Sequence, residues 1–115
     1  MISPTNSALA ALGAADTKIA NSAHNVANSN TNGYKKSRVI LQEDATGEVS
    51  ANVGKIPATS QSPESLAQPD FLEHSNVDYG EEIVNQMTAS NLYKTNLKTF
   101  AAIDEMLESA LDLKA

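Results

Sequence analysis

The chain has 115 residues, no cysteine or tryptophan, and a formal net charge of −6. This length limits it to one small domain, and the missing cysteines exclude a disulfide framework or a thiolate metal site. Because 17 of the apolar residues are alanine, few large side chains remain to build a core. The acidic balance argues against nucleic acid as a partner. No stretch approaches the roughly 18 apolar residues of a membrane span, so membrane insertion is not expected.

The first segment, residues 4 to 28, is predicted to be a helix. Ser3 is a favoured N-cap whose hydroxyl can accept backbone N–H bonds, and proline, here Pro4, is favoured in the first turn. Leu12, Ile19 and Val26 recur every seven residues, which is the spacing of a coiled-coil seam. The seam is flanked by Ala8, Leu9, Ala15, Ala23 and Ala27. Such a narrow apolar face predicts a helix that needs a close-fitting partner.

The middle of the chain is predicted to contain a turn, a small β-hairpin and a linker. Asparagine and glycine dominate residues 28–33 and end the first helix. Residues 38–42 and 48–53 have the composition of two short strands, with Gly47 and Gly54 at their ends. Residues 57–70 contain three prolines and almost no bulky apolar residue, which predicts an extended linker.

The last segment has the strongest helical pattern, over Tyr79 to Leu113. Asp78 is the predicted N-cap, and Glu81 is placed to complete a capping box. Apolar and small residues then alternate steps of four and three along one face: Ala89, Tyr93, Asn96, Phe100, Ile103, Leu107 and Ala110. The stripe is widened by Leu92, Leu97, Met106, Leu111 and Leu113.

These elements predict a mainly α fold in which two long terminal helices pack as an antiparallel hairpin or coiled coil. At 1.5 Å per residue the helices are about 37 Å and about 52 Å long, so the second leaves part of its stripe uncovered. Residues 1–38, 39–74 and 75–115 are the predicted N-terminal, middle and C-terminal parts of this one small domain.

Charge divides the chain into two unlike halves. Residues 1–42 carry four basic side chains and one acidic one, a net charge of +3, whereas residues 43–115 carry four basic and thirteen acidic ones, a net charge of −9. Such halves attract one another, either within a chain or between chains. For the cluster of Lys35, Lys36 and Arg38, a solvated face or an acidic neighbour is favoured over a phosphate site.

No catalytic, metal-binding or cofactor-binding site is predicted. The sequence has two histidines and lacks a nucleophile elbow, a glycine-rich phosphate loop and the paired-histidine spacing of a zinc site. An enzyme is therefore the least supported class.

The run from Ser22 to Lys35 resembles the N-terminal signature of bacterial flagellar basal-body rod and hook proteins. The residues that match are Asn25, Ala27, Asn28, Thr31, Gly33, Tyr34 and Lys35. His24 and Asn32 depart from the usual residues of that signature, and proline is usual at the second position. An Asn-Gly pair still makes a tight turn there.

The carboxyl end resembles the other half of the same family. The matching residues are Ser75 to Asp78, Glu82, Met87, Ala89, Tyr93, Asn96, Phe100, Asp104, Met106 and Leu107. The two resemblances cover residues 2–38 and 73–113, in the family's order.

The resemblance implies a structural subunit of the flagellar rod, with the terminal helices in an inner coiled-coil layer of a helical tube. Its implied partners are other rod or hook subunits, copies of itself, and the export apparatus that passes subunits out without a cleaved signal. The expected assembly residues in the turn motif are Asn25, Ala27, Asn28, Thr31, Gly33 and Tyr34. Those expected in the helix seams are Leu12, Ile19, Val26, Met87, Tyr93, Asn96, Phe100, Ile103 and Leu107.

A second reading stays open, in which the chain is a rod-like adaptor that binds axial subunits or export components. The short middle segment favours it, because little material is left for an outer domain.

Overall fold

The computed structural model describes residues 3–57 and 73–114. The chain forms helix α1 over Pro4–Ala27, strand β1 over Ser37–Glu43, strand β2 over Val49–Lys55 and helix α2 over Tyr79–Asp112. The helices pack against each other, and the strands form an antiparallel hairpin between them in the chain. The predicted mainly α fold is therefore confirmed. The predicted linker lies outside the described residues except for Pro57.

The helix ends follow the sequence signals in part. Ser3 is the N-cap of α1 and Pro4 its first residue, as predicted, but the Ser3 hydroxyl does not make the expected capping hydrogen bond. Pro4 has no backbone N–H, so one of the donors left free at a helix start is absent here. At α2 the Asp78 carboxylate accepts a bond of 3.1 Å from the Glu81 backbone N–H, as predicted. The Glu81 carboxylate pairs with Lys36 across the fold, at 2.6 Å, in place of closing the predicted capping box.

The contact between the helices is built on alanine. The buried hydrophobic side chains of the described residues are Ala8, Ala14, Ala15 and Ala89. The Ser22 hydroxyl donates to the Glu82 carbonyl at 2.9 Å, so the end of α1 lies against the start of α2 and the helices run antiparallel. The same register brings Ala15 opposite Ala89, and both are 0% exposed.

The predicted seam on α1 is displaced from the observed one. Leu12, Ile19 and Val26 are half-buried at the side of the contact. Ala23 and Ala27, which were expected beside the seam, are exposed. Small side chains take the centre because they let the two backbones approach closely, and longer side chains fit only beside them.

Helix α2 extends beyond the helix that covers it. Residues 104–112, which we call the overhang, are all exposed and add about 13 Å of helix. None of the helices in the described ranges is both long and apolar enough to cross a membrane.

The β-hairpin closes through a three-residue loop between Asp44 and Glu48. Gly47 has a φ of 82°, the left-handed conformation that such a loop requires in its last position. The Thr46 hydroxyl, together with the backbone N–H groups of Thr46 and Glu48, donates to Asp44 and holds the pKa of that carboxyl below its ordinary value. Gly54 does not end a strand as predicted, because it lies inside β2 and pairs with Arg38.

Candidate assembly interface

Asn25 lies at the centre of a buried polar cluster that joins both helices, the turn and β1. It is 1% exposed. Its amide nitrogen donates to the Ser37 carbonyl at 2.8 Å and to Glu82 Oε1 at 3.0 Å. Its oxygen accepts from Tyr34 Oη and from the Ser37 backbone N–H, each at 3.0 Å. Every hydrogen-bonding position of this amide is therefore used within the chain.

Two neighbours of Asn25 hold the same junction together. Asn21 Nδ2 donates to the Ser37 carbonyl at 2.9 Å, and the Ser37 hydroxyl donates back to Asn21. The ring of Tyr34 meets the ring of His24 edge to face, with the centroids 5.8 Å apart. His24, one of the two residues that depart from the rod signature, therefore packs against Tyr34, which matches it.

Glu82 supplies a buried carboxylate that the sequence did not single out as a core residue. It is 2% exposed, and its Oε2 atom has no hydrogen-bond partner among the described residues. It lies in the first turn of α2, where acidic side chains are favoured, and its Oε1 atom accepts from Asn25. From the sequence alone, a carboxylate at this position is expected to be a surface residue. The hydrogen bond from Asn25 shows that Glu82 instead joins the two helices in the interior.

The Asn-rich segment folds as a compact turn. The Thr31 N–H donates to the Asn28 carbonyl at 3.0 Å, and the Tyr34 N–H donates to the Thr31 carbonyl at 3.2 Å. Gly33 has a φ of 74°, so the turn is of type II with Asn32 and Gly33 at its centre. This confirms the predicted turn.

A set of contacts, which we call the clasp, joins this turn to the segment before α2. The Gly33 N–H donates to the Glu73 carbonyl at 2.7 Å, and the Lys35 ammonium pairs with the Glu73 carboxylate. The Lys36 N–H donates to Asn76 Oδ1 at 2.7 Å. Lys35 and Lys36 thus use the predicted attraction between the basic and acidic halves inside one chain.

The predicted turn-motif residues separate into two groups. Asn25 is bonded inside the chain, and Tyr34 is half-buried against it. The remaining members are at or near the surface: Ala27, Asn28, Thr31 and Gly33. For this second group, contact with another subunit stays a prediction.

The predicted seam residues of α2 separate in the same way. Asn96, Phe100 and Ile103 are half-buried. Met87 is 62% exposed, Tyr93 37% and Leu107 54%. Exposed apolar side chains thus continue along α2 on surfaces that α1 leaves free.

The structure also has a cavity of about 150 Å³ between α1, the base of the hairpin and α2. Lys18, Arg38 and Glu82 are among its lining residues, together with Ser22 and Ser37. Both serine hydroxyls are engaged in hydrogen bonds within the fold. Within residues 3–57 and 73–114, no three acidic or histidine side chains are grouped closely enough to hold a metal ion.

Comparison with known families gives a match for the C-terminal region. Residues 68–113 match the family model of the flagellar basal body rod FlgEFG protein C-terminal region. This match relates the C-terminal region of the chain to the flagellar rod and hook family. A search of curated proteins found no significant match.

The family match covers the segment before α2 and all of that helix. It supports a rod-related role at the flagellar basal body, in a family whose members are structural. The N-terminal motif lies outside the matched range, and its link to the rod family rests on the residues quoted above. The structure joins that motif to the matched region through Asn25, Glu82 and the clasp.

Proposed function

We propose that this chain is a structural subunit of the flagellar basal-body rod, assembling with copies of itself and with other axial subunits through α1 and α2. The observation that carries the proposal is the exposed apolar surface of α2, which lies within the family match. Its large side chains are between 37% and 71% exposed in Ile83, Val84, Met87, Tyr93, Leu97, Met106, Leu107 and Leu111. A surface of this extent on a small domain marks an interaction site.

The unequal helix lengths favour an open assembly. The overhang is at one end of the helix pair, and the turn and clasp are at the other end. A contact that joins unlike ends of two copies is heterologous and repeats without closing when the rotation does not form a ring. A filament around a common axis follows from such contacts.

The charges of the overhang favour a basic partner surface. Asp104, Glu108 and Asp112 are spaced four residues apart on one side of the helix, and the last turn contains no basic residue. Like charges at this spacing repel, and negative charge is unfavourable at a helix C-terminus. A cationic surface on a neighbouring subunit relieves both effects.

The thin core supports transit of an unfolded chain through the flagellar export apparatus. Alanine supplies all the buried hydrophobic side chains of the described residues, so little apolar surface must be exposed to unfold the monomer. Packing against neighbours then supplies the burial that the monomer lacks. The proposal includes no catalytic step, metal or cofactor.

An adaptor that binds axial subunits or export components is the second candidate. The specific observation in its favour is the small middle region, where the described residues form only a two-stranded hairpin between the helices. Such a chain has little surface outside the helix pair with which to build the outer wall of a rod.

Mass spectrometry of intact basal bodies isolated from the native organism tests the proposal. A rod subunit is expected in several copies per basal body, at a constant ratio to other rod proteins. Recovery of the chain only in the cytoplasm or with export components would contradict the rod role and support the adaptor. The matched control is a known rod protein quantified in the same samples.

A further inference from the structure

We infer that Asn32 is a site of spontaneous deamidation that folding protects, through the hydrogen bond between the Gly33 N–H and the Glu73 carbonyl. The pair Asn32-Gly33 is the single Asn-Gly sequence in the chain. It lies in the centre of the type II turn, and both residues are exposed. This inference does not depend on the proposed rod function.

The reaction needs no enzyme and no reagent except water. The deprotonated backbone nitrogen of Gly33 attacks the side-chain carbonyl carbon of Asn32, a C–N bond forms, and ammonia leaves with the side-chain nitrogen. The product is a five-membered succinimide. Water then opens one of its two C–N bonds and yields either aspartate or isoaspartate at position 32.

The residue after the asparagine decides how readily this ring forms. A side chain there crowds the attacking nitrogen, and glycine has none. At Gly33, no heavy atom lies within 4 Å of the place where a Cβ would be. In the unfolded chain, the nitrogen is free to attack, and Asn32 is expected to be the fastest-reacting asparagine of the sequence.

The folded chain holds that nitrogen away from the reaction. The Gly33 N–H donates to the Glu73 carbonyl at 2.7 Å, which stabilises the protonated amide and directs it away from the Asn32 side chain. The bond between the Tyr34 N–H and the Thr31 carbonyl fixes the turn around it, at 3.2 Å. Deamidation of Asn32 in the folded chain therefore requires local opening of the turn.

The succinimide and isoaspartate forms are incompatible with the clasp, whereas aspartate keeps the normal backbone and the Gly33 N–H. Succinimide formation removes the Gly33 N–H, and isoaspartate lengthens the backbone by one carbon between Asn32 and Gly33. Either change separates Gly33 from Glu73, whose carboxylate also pairs with Lys35. Both aspartate products also add a negative charge near Glu73. An unfolded chain, such as the one proposed during export, is therefore expected to deamidate at Asn32, whereas the folded chain is protected.

The test compares the rate of deamidation in the native and the unfolded full-length chain. The protein is incubated at mildly alkaline pH in buffer and in concentrated urea, and peptide mapping follows aspartate and isoaspartate at position 32. We expect the reaction in native buffer to be slower by roughly tenfold or more, as a local opening equilibrium requires. Asn30, which is exposed in the same turn but is followed by Thr31, is the internal control and should react slowly in both conditions.

Two variants make the test specific. Asn32→Gln should abolish the modification at this position without changing the fold. Asn76→Ala removes the acceptor of the Lys36 N–H and weakens the clasp, so it should raise the native rate at Asn32 while circular dichroism shows intact helices. Equal rates of deamidation in buffer and in urea would contradict the claim that folding protects Asn32. Deamidation of Asn30 as fast as that of Asn32 would contradict the claim that Asn32 is the reactive site.

Discussion

At the scale of single residues, Asn25 and Glu82 decide how the two halves of the chain meet. A buried amide is costly when its groups are unpaired, and Asn25 avoids this cost with two donated and two accepted bonds. Glu82 is accommodated in the interior because Asn25 donates to it and because it lies in the first turn of α2, where acidic side chains are favoured. These polar contacts fix the register of α1 against α2 more specifically than alanine packing can, because an alanine surface has few features.

Substitution of Asn25 by alanine tests this role. The change leaves Glu82 Oε1, the Ser37 backbone N–H and Tyr34 Oη without their partner, so we expect a loss of about 3 kcal/mol in the free energy of unfolding. Urea unfolding followed by circular dichroism measures it.

The matched control is Asn28→Ala in the same motif. Asn28 Nδ2 donates only to the His24 carbonyl one turn back, at 2.9 Å on the exposed surface, and we expect a loss of about 0.5 kcal/mol. Asn28→Ala combined with Thr31→Ala should leave helicity intact yet reduce incorporation into rods, as the turn-motif prediction requires. Equal destabilisation by Asn25→Ala and Asn28→Ala would show that the buried cluster contributes little.

At the scale of the elements, each helix depends on the other. α1 buries mainly small side chains, and α2 has two buried residues over its 34 positions. Isolated helices of this kind are marginal in water, and their stability comes from tertiary packing. Gly13 weakens α1 further, because glycine in a helix interior is unfavourable.

The substitution Gly13→Ala is expected to stabilise the protein by about 1 kcal/mol, since no heavy atom lies within 4 Å of the added Cβ. Thermal and urea unfolding measure the gain. The matched control is Gly80→Ala in α2, where the new Cβ would lie 3.2 Å from the Asp78 carboxylate that caps the helix. We expect that substitution to give a smaller gain or none, because displacing the cap offsets it. A Gly13→Ala protein no more stable than the parent would contradict the exposed, unhindered position of this residue.

At the scale of the whole molecule, length and charge leave the protein with unused binding capacity. The extents of 77 × 27 × 14 Å describe an elongated particle with a large surface for its mass. Within residues 3–57 and 73–114, the basic and acidic halves form ion pairs only at the clasp and between Lys36 and Glu81. The overhang keeps its acids and its apolar side chains exposed, and both are available to another subunit.

The overhang is tested by replacing Leu107 and Leu111 with serine together. Their side chains are 54% and 71% exposed, so we expect the unfolding free energy of the monomer to change by less than about 0.5 kcal/mol. Assembly should fall strongly, measured as the number of copies recovered in isolated basal bodies.

The control pair is Lys98→Ser with Ala102→Ser. These exposed residues are also four positions apart and lie on the opposite side of the same helix by its 3.6-residue period. The control should assemble normally. Normal assembly of the variant with serine at positions 107 and 111 would contradict the proposal that the overhang contacts another subunit.

The sequence by itself determined the helices, the strands and the resemblance of the C-terminal region to flagellar rod proteins. Periodicity and capping residues placed α2 to within one residue, because Asp78 and a long stripe are local signals. Pro4 placed the start of α1, and the Asn-Gly turn placed its end. The composition of residues 38–53 also identified the hairpin, although the interior position of Gly54 was missed.

Only the tertiary structure decided which side chains occupy the interior. Buried alanines occupy the centre of the contact between α1 and α2. Leu12, Ile19 and Val26 lie outside that centre, because close approach of two backbones favours the smallest side chains. Glu82 became a core residue, and Asn25 became its partner across 57 positions of sequence. Local patterns report the preferences of a segment for helix, strand or turn. The pairing of a carboxylate with a distant amide depends on how two elements meet, and that information is absent from either segment alone.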